Sequence, residues 1–404
     1  MSRSFSLANI PLYVVIIALA ISPAFALGEG NRNLLLIGVM SFAPLVVLLY
    51  PQLYRKDITL IGFMLGIVAF PLVSHPETMR WTTVMYSMMF CLAFMAYNRL
   101  LQNGEFTIVH YIEILKVLIY AYAITLLIQQ FCVLTGLPIF NLGNYNPGEP
   151  WKLNSLSAEP SHTARMMALL MYCYITVKEF IGNQRYSFAK DFKEDRWIWL
   201  AFLWTMTTMG SSTAFIFIFI VLLKLLRLKT VLPVLGIIAG IFIVVELMGI
   251  TAMDRMYKTS LATLTLDEKA IMKADGSAAA RIVPVITLIK TVSIADMDGW
   301  FGHGIDQLTN MKVIDFSSIG YGKKGVSGSM FTVWYDYGFI VFILFVVFSM
   351  GACFRRGDAL SIFFWFMLVF LYGINNQMVW LCIILLYTNN YLEQIKQEQW
   401  QSLK

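Results

Sequence analysis

Seven residues near the middle of the chain gather the side chains most suited to chemistry. Glu159-Pro160-Ser161-His162 supplies a carboxylate, a hydroxyl and an imidazole, and Arg165 follows three residues later. A carboxylate or an imidazole can take the proton of an attacking hydroxyl. A guanidinium matches phosphate oxygens in a bidentate fork. On a helix, positions 159, 162 and 165 lie roughly along one face. The same residues also suit a plain helix entry. Pro160 fits the first helical position, and Ser157 and Glu159 can serve the N-terminus.

Other candidates are spread along the chain. Gly276-Ser277 opens an apolar run that reads as a helix, with Ser277 as cap and Arg281 in the first turn. Trp300-Phe301-Gly302-His303-Gly304 follows, and its glycines allow a tight turn or a close backbone approach to a ligand. Gly210-Ser211-Ser212-Thr213 reads as a hydroxyl-rich turn. Asp336 falls within an apolar run, where a carboxylate either serves function or bonds a neighbouring helix. Asn375-Asn376-Gln377 reads as a helix cap. The pair Asp296 and Asp298 could hold a hard cation or belong to a solvated turn. With no HExxH and no paired HxH, no metal site is expected, nor any cofactor.

The elements that position these residues follow from composition. The 404-residue chain is 58% hydrophobic and 13% charged, with a mean hydropathy of +0.69. A soluble domain carries about 25% charge, so the deficit calls for a bilayer. The fold expected is an all-α polytopic membrane protein, residues 1–404 forming one transmembrane domain. Apolar runs give about twelve spans: Ala8–Leu27, Leu34–Tyr50, Ile58–Val73, Trp81–Tyr97, Ile112–Leu134, Thr163–Ile181, Trp197–Met209, Thr213–Leu226, Val231–Ile250, Met330–Met350, Leu360–Gly373 and Met378–Leu392. The short pair around Gly210 reads as two helices or a re-entrant hairpin. With the N-terminus inside, Lys and Arg concentrate in the inner loops, among them Arg55, Lys56, Arg99, Lys178, Arg185, Lys190, Lys224, Arg355 and Arg356. Both termini are therefore cytoplasmic. The segments Thr135–His162, Gly210–Ser212 and the long loop 251–329, between the ninth and tenth spans, face outward. The five cysteines read as small apolar packing residues. The net charge of +6 marks span anchors and implies no nucleic acid.

With those residues in view, the chain resembles the Wzy-type O-antigen and capsular polysaccharide polymerases, within the wider O-antigen ligase superfamily. Glu159-Pro160-Ser161-His162 is similar to the EPS-[HF] segment of exopolysaccharide polymerases. The serine-rich turn at Gly210–Thr213, Arg281 ahead of Gly302-His303-Gly304, and the Tyr335–Gly338 span opening follow in the same order. About twelve spans with one long periplasmic loop before the last three match the layout. The resemblance implies a metal-independent glycosyltransferase of GT-C type in a bacterial inner membrane, with a periplasmic active site. It would pass a glycan from an undecaprenyl-pyrophosphate donor to the sugar of another lipid-linked repeat, with membrane lipid and a chain-length regulator as further partners. It implies Arg281 on the pyrophosphate and Arg165 as a second cation. Glu159 would be the base, with His162 its alternative, and His303 would line the acceptor side. Ser161, Ser211 and Asp336 complete the substrate-binding set.

Two other functions share parts of this pattern. A ligase of the same superfamily would transfer the glycan to a lipid A core and carry a histidine motif late in the loop, for which only His303 could stand. A polysaccharide flippase would show ionisable groups near the midplane and an internal repeat. Only Lys116, Glu246 and Asp336 come near the first requirement, and no repeat is visible. The orientation itself is testable. Cysteines at Asn144 and Ser318 should react with an impermeant reagent from outside, and one at Tyr186 should not; labelling of all three from one side overturns the topology.

Overall fold

The computed structural model describes residues 9–25, 33–141, 145–225, 236, 240, 258, 261–274, 276–308, 313–315, 323–325 and 328–402. The chain divides into two compact units. One holds Met1–Tyr50, Ala96–Gly249 and Ile384–Lys404; the other holds Pro51–Met95 and Ile250–Ile383. The described elements are overwhelmingly helical.

In the first unit, α1 (Ile10–Ile21) precedes α2 (Leu34–Met40) and α3 (Ala43–Leu49). The expected second span is split between α2 and α3 because Pro44, in the first turn of α3, has no N–H to offer a continuous helix. Next in chain order, α4 (Arg55–Ser74) belongs to the second unit, and α5 (Trp81–Asn103) is shared between the two. The first unit resumes with α6 (Ile108–Thr135), the longest described helix. It is capped by Thr107 and ended by Gly136 in the left-handed region (φ +70). Then come α7 (Pro160–Gly182), α8 (Phe188–Thr208) and α9 (Ser212–Leu223). Two helices, α8 and α9, flank Gly210.

Most of α7 is buried, from Ser161 to Phe180. Its far end is fixed by a polar cluster. The Tyr174 hydroxyl donates to Asp195 Oδ1 (2.6 Å), the Tyr186 hydroxyl to Asp195 Oδ2 (3.0 Å), and Trp199 Nε1 to the Tyr186 oxygen (2.9 Å). Lys178 lies 3.4 Å from the same carboxylate, and Lys224 pairs with Glu179 at 3.4 Å. Burial pushes the Tyr186 phenol up, with Asp195 adding to the shift, so it stays a donor.

In the second unit α4 lies along α14 (Phe339–Cys353). A Cβ on Gly66 would come within 2.7 Å of Val341, so a hydrogen at that position is what admits the close approach. Phe63 packs on Phe345 at 4.9 Å. The long loop carries α10 (Glu268–Ala274), α11 (Gly276–Thr291) and α12 (Met297–Phe301). It also carries a small antiparallel pair, β1 (Val313–Asp315) with β2 (Lys323–Gly325), the one departure from all-α among the described residues. The unit continues with α13 (Met330–Tyr337), then α14, then α15 (Ala359–Trp365), which passes into a π turn at Phe366–Phe370. Two of the four divisions between the units fall inside helices, α5 and α16 (Gln377–Ser402).

Among the described residues three helices, α4, α5 and α6, are long and apolar enough to cross a membrane. Six shorter apolar helical segments accompany them, including Ile10–Phe25, Leu34–Leu49 and Phe339–Cys353. The expected tenth span is interrupted at Gly338, so Asp336 belongs to a short helix ahead of the apolar one rather than to the span itself. The expected ninth, Val231–Ile250, lies outside the described residues apart from single positions. All five cysteines are buried thiols. Tyr186 is buried too, so the inward-facing label of the topology test belongs on its exposed neighbour Arg185.

The Asp195 cluster makes a stability prediction. Asp195→Ala leaves two buried hydroxyls and Lys178 without their shared acceptor, a loss of about 2–3 kcal/mol for hydrogen bonds to a charged group. The melting temperature in detergent should fall by several degrees, and an unchanged value would show the cluster to be ornamental.

Candidate functional site

The expected site residues fall into two clusters, one in each unit. In the first unit, Glu159 is the N-cap position of α7, with extended backbone, and its carbonyl accepts from the His162 and Thr163 amides at 3.0 and 3.2 Å. Its carboxylate makes no bond to those amides. It serves instead as a meeting point: the Ser161 hydroxyl donates to Oε1, and His162 Nε2 lies 3.3 Å from the same oxygen. Both side chains of that pair are partly exposed, 28% for Glu159 and 23% for His162, so the carboxylate–imidazole pair can be reached from outside the core. Arg165 lies one turn further and is 7% exposed. Ser211 is the N-cap position of α9 and its hydroxyl makes no cap bond. The turn before it packs on the approach to α7: a Cβ on Gly210, at φ +72, would sit 3.2 Å from the Trp151 carbonyl oxygen.

The chain reaches Glu159 through a segment that sequence reasoning passed over. Leu153, Asn154, Ser155, Leu156 and Ser157 are all buried, yet none is in a helix. Their polar groups are bonded to α6, to the first turn of α7 and to the other limb of the same loop. Ser155 N–H donates to Gln129 Oε1 (2.8 Å) and its hydroxyl to the Tyr122 carbonyl (2.6 Å). Ser157 Oγ donates to the Tyr122 hydroxyl (3.3 Å), which donates to the Ala20 carbonyl (2.7 Å). Ser157 thus bonds α6 instead of capping α7. One signal was present in the sequence: Gln129-Gln130 interrupts an apolar helix, and a polar pair there needs partners.

In the second unit, His303 stacks flat on Tyr335, ring centroids 4.2 Å apart and 6° from parallel. Its amide donates to the Tyr335 carbonyl at 2.9 Å. Two glycines make this approach. A Cβ on Gly302 (φ +92) would lie 2.4 Å from the Asp336 carbonyl oxygen, and one on Gly338 (φ +91) would lie 2.1 Å from that of Trp300. The two stretches of chain therefore interlock backbone to backbone, tied by Trp334 Nε1 donating to the Gly299 carbonyl at 3.0 Å. Asp336 is 4% exposed. Asp306 holds Arg80 at 3.0 Å and accepts from Thr83 at 3.4 Å. The Asp296-Met297-Asp298 pair is divided between tasks. Asp296 caps α12, accepting from the Gly299 amide at 2.8 Å, and Asp298 faces His75 at 3.4 Å. Asn376 caps α16, accepting from the Met378 amide at 2.8 Å.

Arg281 stands on α11, whose first residue is Gly276. That puts it in the second turn, not the first as the sequence suggests, and past the amides that a helix N-terminus offers to an anion. Its side chain lies outside the described residues. Comparison with protein-family models, with curated proteins and with solved structures finds nothing that matches this chain.

The glycine interlock carries a prediction. Gly338→Ala meets both a forbidding φ and a backbone oxygen that cannot move aside, so it should cost several kcal/mol, beyond the roughly 1 kcal/mol of a left-handed alanine alone. Gly351→Ala, where a Cβ meets nothing within 4 Å and the backbone is helical, serves as the control. Equal melting temperatures for the two variants would refute the interlock.

Proposed function

We propose that the chain is a membrane glycosyltransferase of the polysaccharide-polymerase type, working on lipid-linked sugars at the outer face of a bacterial inner membrane. The observation that carries it is the Glu159–His162 pair with Ser161 on the same carboxylate oxygen, at the start of a buried helix. A carboxylate turned toward an imidazole and a hydroxyl, rather than toward its own helix's amides, is placed to accept a proton.

In this reading a sugar hydroxyl attacks the anomeric carbon of the donor. The new glycosidic bond forms as the carbon–oxygen bond to the pyrophosphate breaks, and the lipid pyrophosphate leaves with both electrons of that bond. The hydroxyl proton passes to Glu159, or to His162 with Glu159 orienting the ring. Arg281 is assigned to the charge that grows on the leaving group, with Arg165 as second cation. His303 is assigned to the acceptor sugar, and Ser211 and Asp336 to further substrate contacts. The apolar helices supply the medium in which the lipid tail is soluble.

The test uses the surface polysaccharide of the host run on a gel. Deletion should leave a single capped repeat without a ladder. Absence of O-chain from the core would indicate a ligase, and inner accumulation of lipid-linked repeats a flippase. Glu159→Gln should lower polymer output by about 10²-fold or more, as loss of a general base does. Arg281→Lys should fail like Arg281→Ala, by roughly a hundredfold, because lysine cannot reproduce the fork. Normal ladders from Glu159→Gln at wild-type protein levels would remove the base. Normal ladders from Arg281→Ala would move the clamp elsewhere and leave Glu159 standing.

A further inference from the structure

The loop between α6 and α7 does not stay at the end of the helices it joins. Ser155 bonds the carbonyl of Tyr122, which lies 13 residues before the last residue of α6. At 1.5 Å per residue that is about 20 Å back along the helix. Non-helical backbone carried this far into a helical unit has amides and carbonyls that no regular element satisfies, so side chains must.

Two side chains do most of this. Gln129, with 0% exposure, uses both ends of its amide: Oε1 accepts from the Ser155 amide, and Nε2 donates to the Phe140 carbonyl at 2.7 Å. One residue of α6 therefore holds the descending and the returning limb together. Asn141 sits at φ +62, a conformation asparagine tolerates better than most residues. Its Nδ2 donates to two carbonyls, Ser155 at 2.8 Å and Ser157 at 2.6 Å. Its own carbonyl accepts from Asn154 Nδ2 at 3.4 Å, and the Asn154 carbonyl accepts from the Thr163 hydroxyl in the first turn of α7. The chain of bonds runs from Asn141 through Asn154 to the helix that begins beside Glu159.

We propose that Asn141 and Gln129 are positioning residues, which hold the start of α7 so that Glu159 faces His162. The Glu159 carboxylate makes no cap bond to α7, and the backbone that carries it is delivered by the loop, so a change in the loop moves the pair. The proposal deepens the polymerase reading and rests on it only for polymer output; the geometry stands on its own.

The experiment uses the full-length protein in host membranes, with diethyl pyrocarbonate as probe and peptide mass spectrometry to separate His162 from the other histidines. Glu159→Gln calibrates the rate of a His162 without its carboxylate. Asn141→Gly removes both donors while keeping the left-handed backbone available. It should raise the His162 modification rate about threefold to tenfold, the equilibrium worth of one hydrogen bond. The rate at His75, in the other unit, should not change. Polymer output should fall on the order of tenfold, as it does when a supporting hydrogen bond behind a site is removed. Gln129→Met, of similar length and without a buried charge, removes the acceptor for Ser155 and the donor to Phe140 together, so it should also raise the rate; it carries the test if Asn141→Gly fails to accumulate. Unchanged His162 rates in the accumulating variants, well below their melting temperatures, overturn the positioning role whatever the polymer does. A raised His162 rate with normal ladders keeps the positioning role and removes the Glu159–His162 pair from the polymer reaction instead.

Discussion

A peptide N–H or C=O closed off from water must be bonded within the chain, and that single requirement shapes both clusters. Where the backbone is helical the requirement is met locally. Where it is not, each group has to find a specific partner, and the partners turn out to be the polar side chains in otherwise apolar helices. Gln129 is the clearest case: its amide meets the Ser155 N–H and the Phe140 carbonyl, both in the loop that α6 supports. If the unit lies in lipid, the requirement tightens, since no water competes for the unmet group.

The second unit answers the same requirement with glycine. At Gly302 and Gly338 the backbones approach too closely for any side chain, and carbonyls that would otherwise be crowded become acceptors, Tyr335 for the His303 amide and Gly299 for the Trp334 indole. The flat stacking of His303 on Tyr335 follows from the interlock rather than from attraction between the rings alone. Asp296 contributes by capping the helix that leads into it.

Much of the helical plan was legible because long apolar runs are redundant signals. The start of α7 at Pro160 was legible for a local reason: proline offers no amide and fits where none is needed. The interruptions were harder. Pro44 could have been read as a breaker, but Gly338 has no signature of its own; it matters because of a backbone oxygen belonging to Trp300, far off in sequence. The start of α11 was placed two residues late, with Ser277 as its cap, because helix starts are weakly marked where glycine, serine and alanine run together. At the site, Glu159 and His162 announced themselves by type and spacing. Gln129 signalled only that a polar group in an apolar helix needs a partner, and Asn141 signalled nothing, since an amide in sequence does not say which carbonyls it will meet.

The two ends of α7 show why a helix with this much burial carries so much polarity. A uniformly apolar helix packed on all sides can slide or rotate by a residue at little cost, because each methyl group finds a similar neighbour in its new place. Directional bonds cannot be replaced in that way. At one end Tyr174 and Lys178 meet Asp195; at the other Thr163 bonds the Asn154 carbonyl. A shift of one residue turns a helix by about 100°, which would break both sets at once. The two ends together fix axial position and rotation, and between them the packing can remain apolar. Glu159 and His162 inherit that precision, because they occupy the last positions before the helix gives way to the loop that holds it.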